Sequence, residues 1–446
     1  MASSKKKAFN IVATHFTDLF RIGILLSVLV ASSCNSANSK KIVNKKDSVA
    51  AVFITAPVPL SEEEMEQFNA GCAKWYDSSL KLSGFNGGIV VAKNGNIVFE
   101  AYNGNAHLNK HDVIDSNSSF HIASVSKTFT AMAVLKLWQD SLLNIDEEYS
   151  KYFPSFNYPG VTIRSLLSHR SGLPNYLYFM ETLGWDKKKL IRNEDVLDYL
   201  ITRKATITNI SSPNTHFTYC NTNYALLALL VEKQSGKKFP DYLQQTFFKP
   251  LQMTHSFIFN SLDTSKINPS YDWRGRLIPL NFLDGVYGDK NVYTTPRDLL
   301  KWDRALTTGK LFTAKTLEQA YTPYSNEKKG AKNYGLGWRM NIYPNGQKTI
   351  YHNGWWHGSN AAFVRLLADS VTIIIIGNKY NRNIYHAKEL AKVFGNFNGT
   401  EDEDDSENSK TNTILIPQNS TDPNSNKAKP VNENSLLKDK IKQKGK

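Results

Sequence analysis

The chain has 446 residues, 41% of them hydrophobic and 12% aromatic, which is ample for one large globular domain or two moderate ones. Its formal charge is +14, but many of the lysines lie in Lys5–Lys7, in Lys40–Lys46 and in the last dozen residues, with no nucleic-acid-binding motif beside them. The charge is therefore read as solvated or membrane-facing, and nucleic acid is not an expected partner.

At the N-terminus a basic stretch precedes an apolar run from Ile22 to Val30 that ends in Ala31, Ser32, Ser33 and Cys34. A spanning helix needs about twenty apolar residues, so this shorter run predicts a signal peptide over 1–34 and export across a bacterial cytoplasmic membrane. A small-residue pair before a cysteine is similar to a lipoprotein cleavage site. It makes Cys34 the expected lipid anchor and the periplasm or cell envelope the expected location. Ala31 stands where that pattern usually has Leu, which keeps plain secretion as the alternative. The other cysteines, Cys72 and Cys220, are too few for a disulfide framework and lack zinc-site spacing, so buried thiols are expected.

Residues 35–60 and 397–446 are polar and rich in Asn, Ser and Lys, and both predict disorder. The folded body is expected over 61–396. It opens with Ser61 and Glu64 in capping-box spacing, then a helical stretch to about Leu82. Strands are predicted at Gly87–Val91 and Asn96–Ala101 around a tight Asn94-Gly95 turn. Helical patterns and loops dominate 120–330. Further strands are predicted at Leu336–Ile342, Lys348–Asn353, Ser359–Leu367 and Val371–Ile376, followed by a helix over Arg382–Phe394. The expected fold class is α+β: an antiparallel sheet built from 61–119 and 331–396, flanked by the terminal helices, with a mostly helical region inserted. A site is expected in the seam between the two parts.

Ser124 and Lys127 stand three apart at the head of Thr128–Trp138, a stretch apolar almost all round and so a buried helix. At that spacing the side chains meet, and a dry setting disfavours the charged amine, leaving a base for the hydroxyl proton. A serine at a helix start also has a free backbone N–H for an oxyanion. Ser78/Lys81, Ser235/Lys238, Ser325/Lys328 and Ser435/Lys438 share the spacing but lack the apolar setting, and are read as surface pairs. Tyr219 and Asn221 precede the apolar helix Ala225–Glu232: a phenol can relay a proton, and an amide can accept from the lysine while donating to a substrate carbonyl. Alone they would read as a structural tyrosine and a helix cap. His352, Gly354 and Trp355 lie on a predicted strand. A strand glycine marks a close approach, here expected to be that of the substrate acyl carbon, with Trp355 N–H as the second oxyanion donor.

In this order the three segments resemble the Ser-x-x-Lys, Tyr-x-Asn and Lys/His-x-Gly elements of the serine beta-lactamase and D-alanyl-D-alanine peptidase superfamily, in its class C-like branch. The stretches TIRSLLSHRSGLP at 162–174 and YGLGW at 334–338 are similar to family signatures, as is Thr295–Leu299. The resemblance covers about 85–396. It implies that Ser124 attacks an ester or amide carbonyl, that Lys127 and Tyr219 manage its proton, and that water releases the acyl group. Asn221 orients Lys127 and the substrate, and His352 and Gly354 join it in substrate binding. His352 stands where most beta-lactamases of the family have Lys, and Asn353 replaces a Thr that helps bind a substrate carboxylate, which argues against a strong beta-lactamase. The SHRSGLP segment is read as a helix end and turn without a chemical role. No cofactor or metal is expected. The expected partner is a small-molecule or peptide substrate bound by a monomer, with membrane contact only through the lipid anchor. The competing reading is a catalytically silent binding domain of the same fold. A metal hydrolase lacks a HExxH motif and an alpha/beta-hydrolase lacks GxSxG.

Overall fold

The computed structural model describes residues 56–259, 267–327 and 330–395. The expected signal peptide, Cys34, most of the expected linker and the tail lie outside the described residues.

The capping box at the start of the body is formed. Ser61 Oγ accepts from Glu64 N at 3.2 Å and the Glu64 carboxylate accepts from Ser61 N at 2.9 Å, opening the helix Glu62–Trp75. The helical path continues through single π and 3-10 turns to Ser83. Strands β1 (Gly87–Lys93) and β2 (Asn96–Asn103) then form a hairpin whose turn residues Asn94 and Gly95 both have positive φ, as a primed two-residue turn requires. Residues 56–60, expected in the disordered linker, instead run along this hairpin. Val58 N donates to Asn94 O at 3.0 Å and Asn96 Nδ2 donates to Val58 O at 2.5 Å. Their backbone groups found partners in the turn, which composition alone does not reveal.

The region 120–330 is mostly helical but also carries β3 (Phe120–His121), β4 (Phe257–Ile258), β5 (Ser270–Tyr271), β6 (Leu277–Ile278) and β7 (Val292–Thr294). β7 lies between β3 and β4 in a small sheet, and β5 pairs with β6. The chain then returns as β8 (Lys332–Tyr334), β9 (Arg339–Ile342), β10 (Lys348–Trp356), β11 (Ser359–Leu366) and β12 (Val371–Gly377). The main sheet has the order β2-β1-β12-β11-β10-β9-β8 and is antiparallel throughout. Both ends of the body thus build one sheet, as expected. Its final helical segment, Arg382–Phe394, is wound as a 3-10 helix.

Period-two alternation explains why β12 is a continuous apolar run. Ile373 and Ile375 face the layer formed by Leu80 and Leu390 of the terminal helical segments, whereas Ile374 and Ile376 face the inserted helical region. Burying each such side chain stabilises the fold by about 1.5–3 kcal/mol. On that second face the helix Pro296–Thr307 is fastened to the sheet by a buried ion pair, Arg365 Nε to Asp303, with Thr372 Oγ1 donating to the same carboxylate at 2.6 Å.

Candidate active site

Ser124 lies in a 3-10 turn, Ala123–Val125, that runs directly into the helix Ser126–Gln139, of which every residue from Ser126 to Leu135 is buried. A helix buried almost all round is stable only when its neighbours cover it, and this one packs against the helices Asn221–Ser235 and Ala314–Ala320. The turn places Ser124 partly exposed while Lys127, one turn on, has no accessible surface. Ala123, just before the nucleophile, has φ +47, a left-handed conformation that costs a non-glycine residue about 1–2 kcal/mol.

Lys127 Nζ makes three contacts: Ser124 Oγ at 3.0 Å, Asn221 Oδ1 at 2.8 Å and the backbone oxygen of Asp289 at 2.8 Å. Two of these partners can only accept. The third, a hydroxyl, can also donate. Asn221 Oδ1 and Asp289 O therefore hold the amine in place, and Ser124 is the one neighbour with which it can exchange a proton. Asn221 is the first residue of its helix, and the N-cap position belongs to Cys220, so the Asn221 amide is not spent on capping. Asp289 was not identified from sequence. A backbone carbonyl carries no residue signature, and nothing in Gly288-Asp289-Lys290 advertises it.

The Tyr219 ring lies under the amine, its centroid 5.0 Å from Lys127 Nζ. Its hydroxyl is buried and has no hydrogen-bond partner among the described residues. The ring packs on His169, centroid to centroid 4.3 Å. His169 belongs to the SHRSGLP segment. The helix end expected there is present, since the short helix Ile163–Leu167 stops at Ser168, but the segment also walls the site.

β9 accompanies β10 only from Lys348 to Tyr351, so beyond that point the same edge of β10 is open to the Ser124 turn. A Cβ on Gly354 would stand 2.3 Å from Ile122 O and 3.1 Å from Ser124 N. This corrects the expectation that the substrate demanded the glycine: the close approach is that of the nucleophile turn itself. Trp355 follows, partly exposed, with its indole N–H donated to His357 O at 2.8 Å. Its backbone N–H and that of Ser124 are the two candidate oxyanion donors.

His352 also departs from expectation. Its ring has no accessible surface, Nε2 lies 3.2 Å from Tyr334 Oη and Nδ1 2.7 Å from Asn353 O. In this geometry it meets no substrate and supports the wall behind Tyr219, because Tyr334 of the YGLGW segment packs against both rings. Gly337 of that segment has φ +86 and abuts the Lys127 helix, where a Cβ would lie 2.2 Å from Ala131 Cβ. Burial holds His352 and His169 well below the ordinary imidazole value, and the charge of nearby Arg339 adds to the effect. Both rings are therefore neutral.

The remaining Ser-x-x-Lys pairs that are described lie elsewhere: Lys81 pairs with Asp77 and Lys238 with Glu194 and Glu232, and both lysines are exposed. Cys72 and Cys220 are free and buried, and burial pushes their thiols up to about 12 and about 11, so neither is a nucleophile. Among the described residues no group of three or more His, Cys, Asp or Glu side chains is placed to hold a metal ion. A cavity of about 760 Å³ lies beside the site, not over Ser124; His121, Tyr293, Trp356 and His357 form part of its wall.

The beta-lactamase family model matches residues 81–393. Penicillin-binding protein 4* of Bacillus subtilis (strain 168) is 30% identical over 311 residues, covering 66% of this chain and 68% of that protein. A penicillin-binding protein of Bacillus halodurans superposes with a TM-score of 0.63 at 23% identity, covering 71% of this chain and 98% of the other. The D-amino acid amidase of Ochrobactrum anthropi SV3, in complex with L-phenylalanine, superposes with a TM-score of 0.58 at 20% identity, covering 74% and 96%. At such identities the structural likenesses establish the fold. With the family model spanning most of the body, this chain belongs to the beta-lactamase family of serine hydrolases.

Proposed function

We propose that the protein is an acyl-hydrolase that cleaves an ester or amide bond through a covalent acyl-enzyme on Ser124. The observation that carries this reading is the three-point setting of Lys127, two pure acceptors and one hydroxyl around a fully buried amine. An ammonium group held there without purpose would cost several kcal/mol in desolvation. In the proposed cycle Ser124 Oγ attacks the carbonyl carbon while its proton passes to Lys127 Nζ. The oxyanion is held by the N–H groups of Ser124 and Trp355. As the bond to the leaving group breaks, Tyr219 conveys the proton to the departing amine or alcohol, and water then releases the acyl group by the reverse path. Asn221, with its oxygen on Lys127, has its NH2 left to meet a substrate carbonyl.

The substrate is proposed to be a small ester, a D-amino-acid peptide or amide, or a beta-lactam. Asn353 and the two tryptophans after Gly354 place the beta-lactam last. The protein is proposed to act as a monomer, exported to the cell envelope and anchored through Cys34. No helix among the described residues is long and apolar enough to cross a membrane. One observation favours the silent-domain reading: the Tyr219 hydroxyl touches neither Lys127 nor Ser124. Turnover of short nitrophenyl esters, D-amino-acid amides and nitrocefin, each compared with Ser124→Ala, separates the two. Hydrolysis of any of them that disappears in the variant supports the enzyme; none across the panel supports the silent domain.

A further inference from the structure

We propose that His121 and His169 are positioning residues of this site, each using Nδ1 to hold the backbone N–H next to a reacting side chain: Ala123 beside Ser124, and Cys220 beside Tyr219. The inference rests on the serine-hydrolase reading for its functional meaning, but its geometry stands apart from the chemistry.

His121 ends β3, and its Nδ1 accepts from Ala123 N at 3.2 Å. The orientation of its ring follows from Asn291. The Asn291 Nδ2 donates to Asp284 O at 2.7 Å and Val286 O at 2.8 Å, which turns Oδ1 toward His121 Nε2, 3.0 Å away. An oxygen there calls for hydrogen on Nε2 and leaves Nδ1 bare. Asn291 N, at 3.3 Å from Nε2, is the weaker competitor for that atom. The held residue, Ala123, is the one in the left-handed conformation, so the bond restrains a backbone that would otherwise relax away from the orientation Ser124 needs.

His169 grips Tyr219 from both sides in sequence. Its Nδ1 accepts from Cys220 N at 3.1 Å and its backbone oxygen accepts from Thr218 N at 2.9 Å. Its ring also backs the tyrosine ring. A second donor, Asn223 Nδ2, lies 3.4 Å from the same nitrogen, its orientation set by Ser171 Oγ donating to Oδ1 at 2.7 Å. Two donors on Nδ1 place the ring hydrogen on Nε2, an atom that is buried without a partner.

Both clamps require neutral imidazoles, and the surroundings supply that condition. Burial lowers His121 to about 4, opposed by Asp284 and assisted by His357 and Lys290. The groups facing His169 are Lys127, His352 and Arg339, with the rings of Tyr219, Tyr224 and Tyr334 around it.

The test compares asparagine, whose side-chain oxygen can take the place of Nδ1, with glutamine, whose oxygen reaches the place of Nε2. In the full chain, His121→Asn and His169→Asn are expected to keep the Ala123 and Cys220 amides protected from hydrogen exchange and to retain the rate of Ser124 labelling by a fluorophosphonate. His121→Gln and His169→Gln are expected to release those amides and to slow labelling by about 10- to 100-fold, the scale of a misplaced reacting group. Glutamine variants that protect and label as the unsubstituted chain does would overturn the proposal. A chain that is never labelled would count against the hydrolase reading alone, because the exchange comparison still decides the clamps. Should a glutamine variant fail to fold, nitrogen NMR of the histidine rings in the unsubstituted chain decides: both must carry hydrogen on Nε2, and hydrogen on Nδ1 of either overturns its clamp.

Discussion

The Cβ that Gly354 lacks would stand 3.1 Å from Ser124 N, so strand β10 and the nucleophile turn meet backbone to backbone. Gly354→Ala must push them apart, since Ile122 O would be only 2.3 Å from the new atom. The expected cost is about 1–3 kcal/mol of stability, as for other overpacked sites, together with slower acylation. Thermal melting and the rate of fluorophosphonate labelling measure both, and an alanine variant that labels as fast as the native chain contradicts the packing argument.

Lys127→Met keeps much of the apolar stem and removes the lone pair. Turnover is expected to fall by about 10⁴- to 10⁶-fold, as when a member of a nucleophile-base unit is deleted elsewhere. Asn221→Leu keeps the lysine but takes away one of its acceptors, for a destabilisation of about 1–3 kcal/mol and a lower turnover. Steady-state kinetics on the same esters and amides read the rates, and a methionine variant that still turns over at the native rate removes Lys127 from the mechanism.

Tyr219→Phe separates the phenol from the ring. The ring contacts with His169 and Lys127 survive and the lost hydroxyl had no partner, so melting is expected to change little. Turnover is expected to drop by about 10²- to 10⁴-fold, the usual worth of a general acid-base group. Equal turnover in the phenylalanine variant would show that the proton travels by another route.

Three buried imidazoles, His121, His169 and His352, resist protonation in the folded chain. Above the unfolded-chain value near 6.5 both states are neutral and stability is whole. As pH falls below it, the unfolded chain takes up protons that the folded chain refuses. Stability therefore declines as pH falls from 6.5 toward the His121 value of about 4, with the His169 and His352 rings contributing in the same direction. Melting temperature against pH measures this, and His352→Asn should flatten part of the slope. A melting temperature constant between pH 6.5 and 4 contradicts the assignment of neutral rings.

Much of this architecture was legible in the residues. Asn94-Gly95 marked the hairpin because only a primed turn closes it, and the apolar surround of Lys127 marked that amine because nothing else explains burying it. The identity of the Gly354 neighbour was not legible, since a strand glycine announces a close approach without naming what approaches. His169 carries no such signal, because the TIRSLLSHRSGLP stretch ends a helix, and a helix end accounts for its sequence without reference to Tyr219, fifty residues away. The His-x-Gly motif points His352 toward a substrate, whereas its ring faces Tyr334. Asp289 contributes a carbonyl that any residue could have supplied.

The most direct test of the account is to treat the purified full chain with a fluorophosphonate and locate the adduct by mass spectrometry. One phosphonyl group on Ser124, absent from Ser124→Ala, is the predicted result. An adduct on another residue, or labelling that persists in the alanine variant, would contradict Ser124 as the nucleophile.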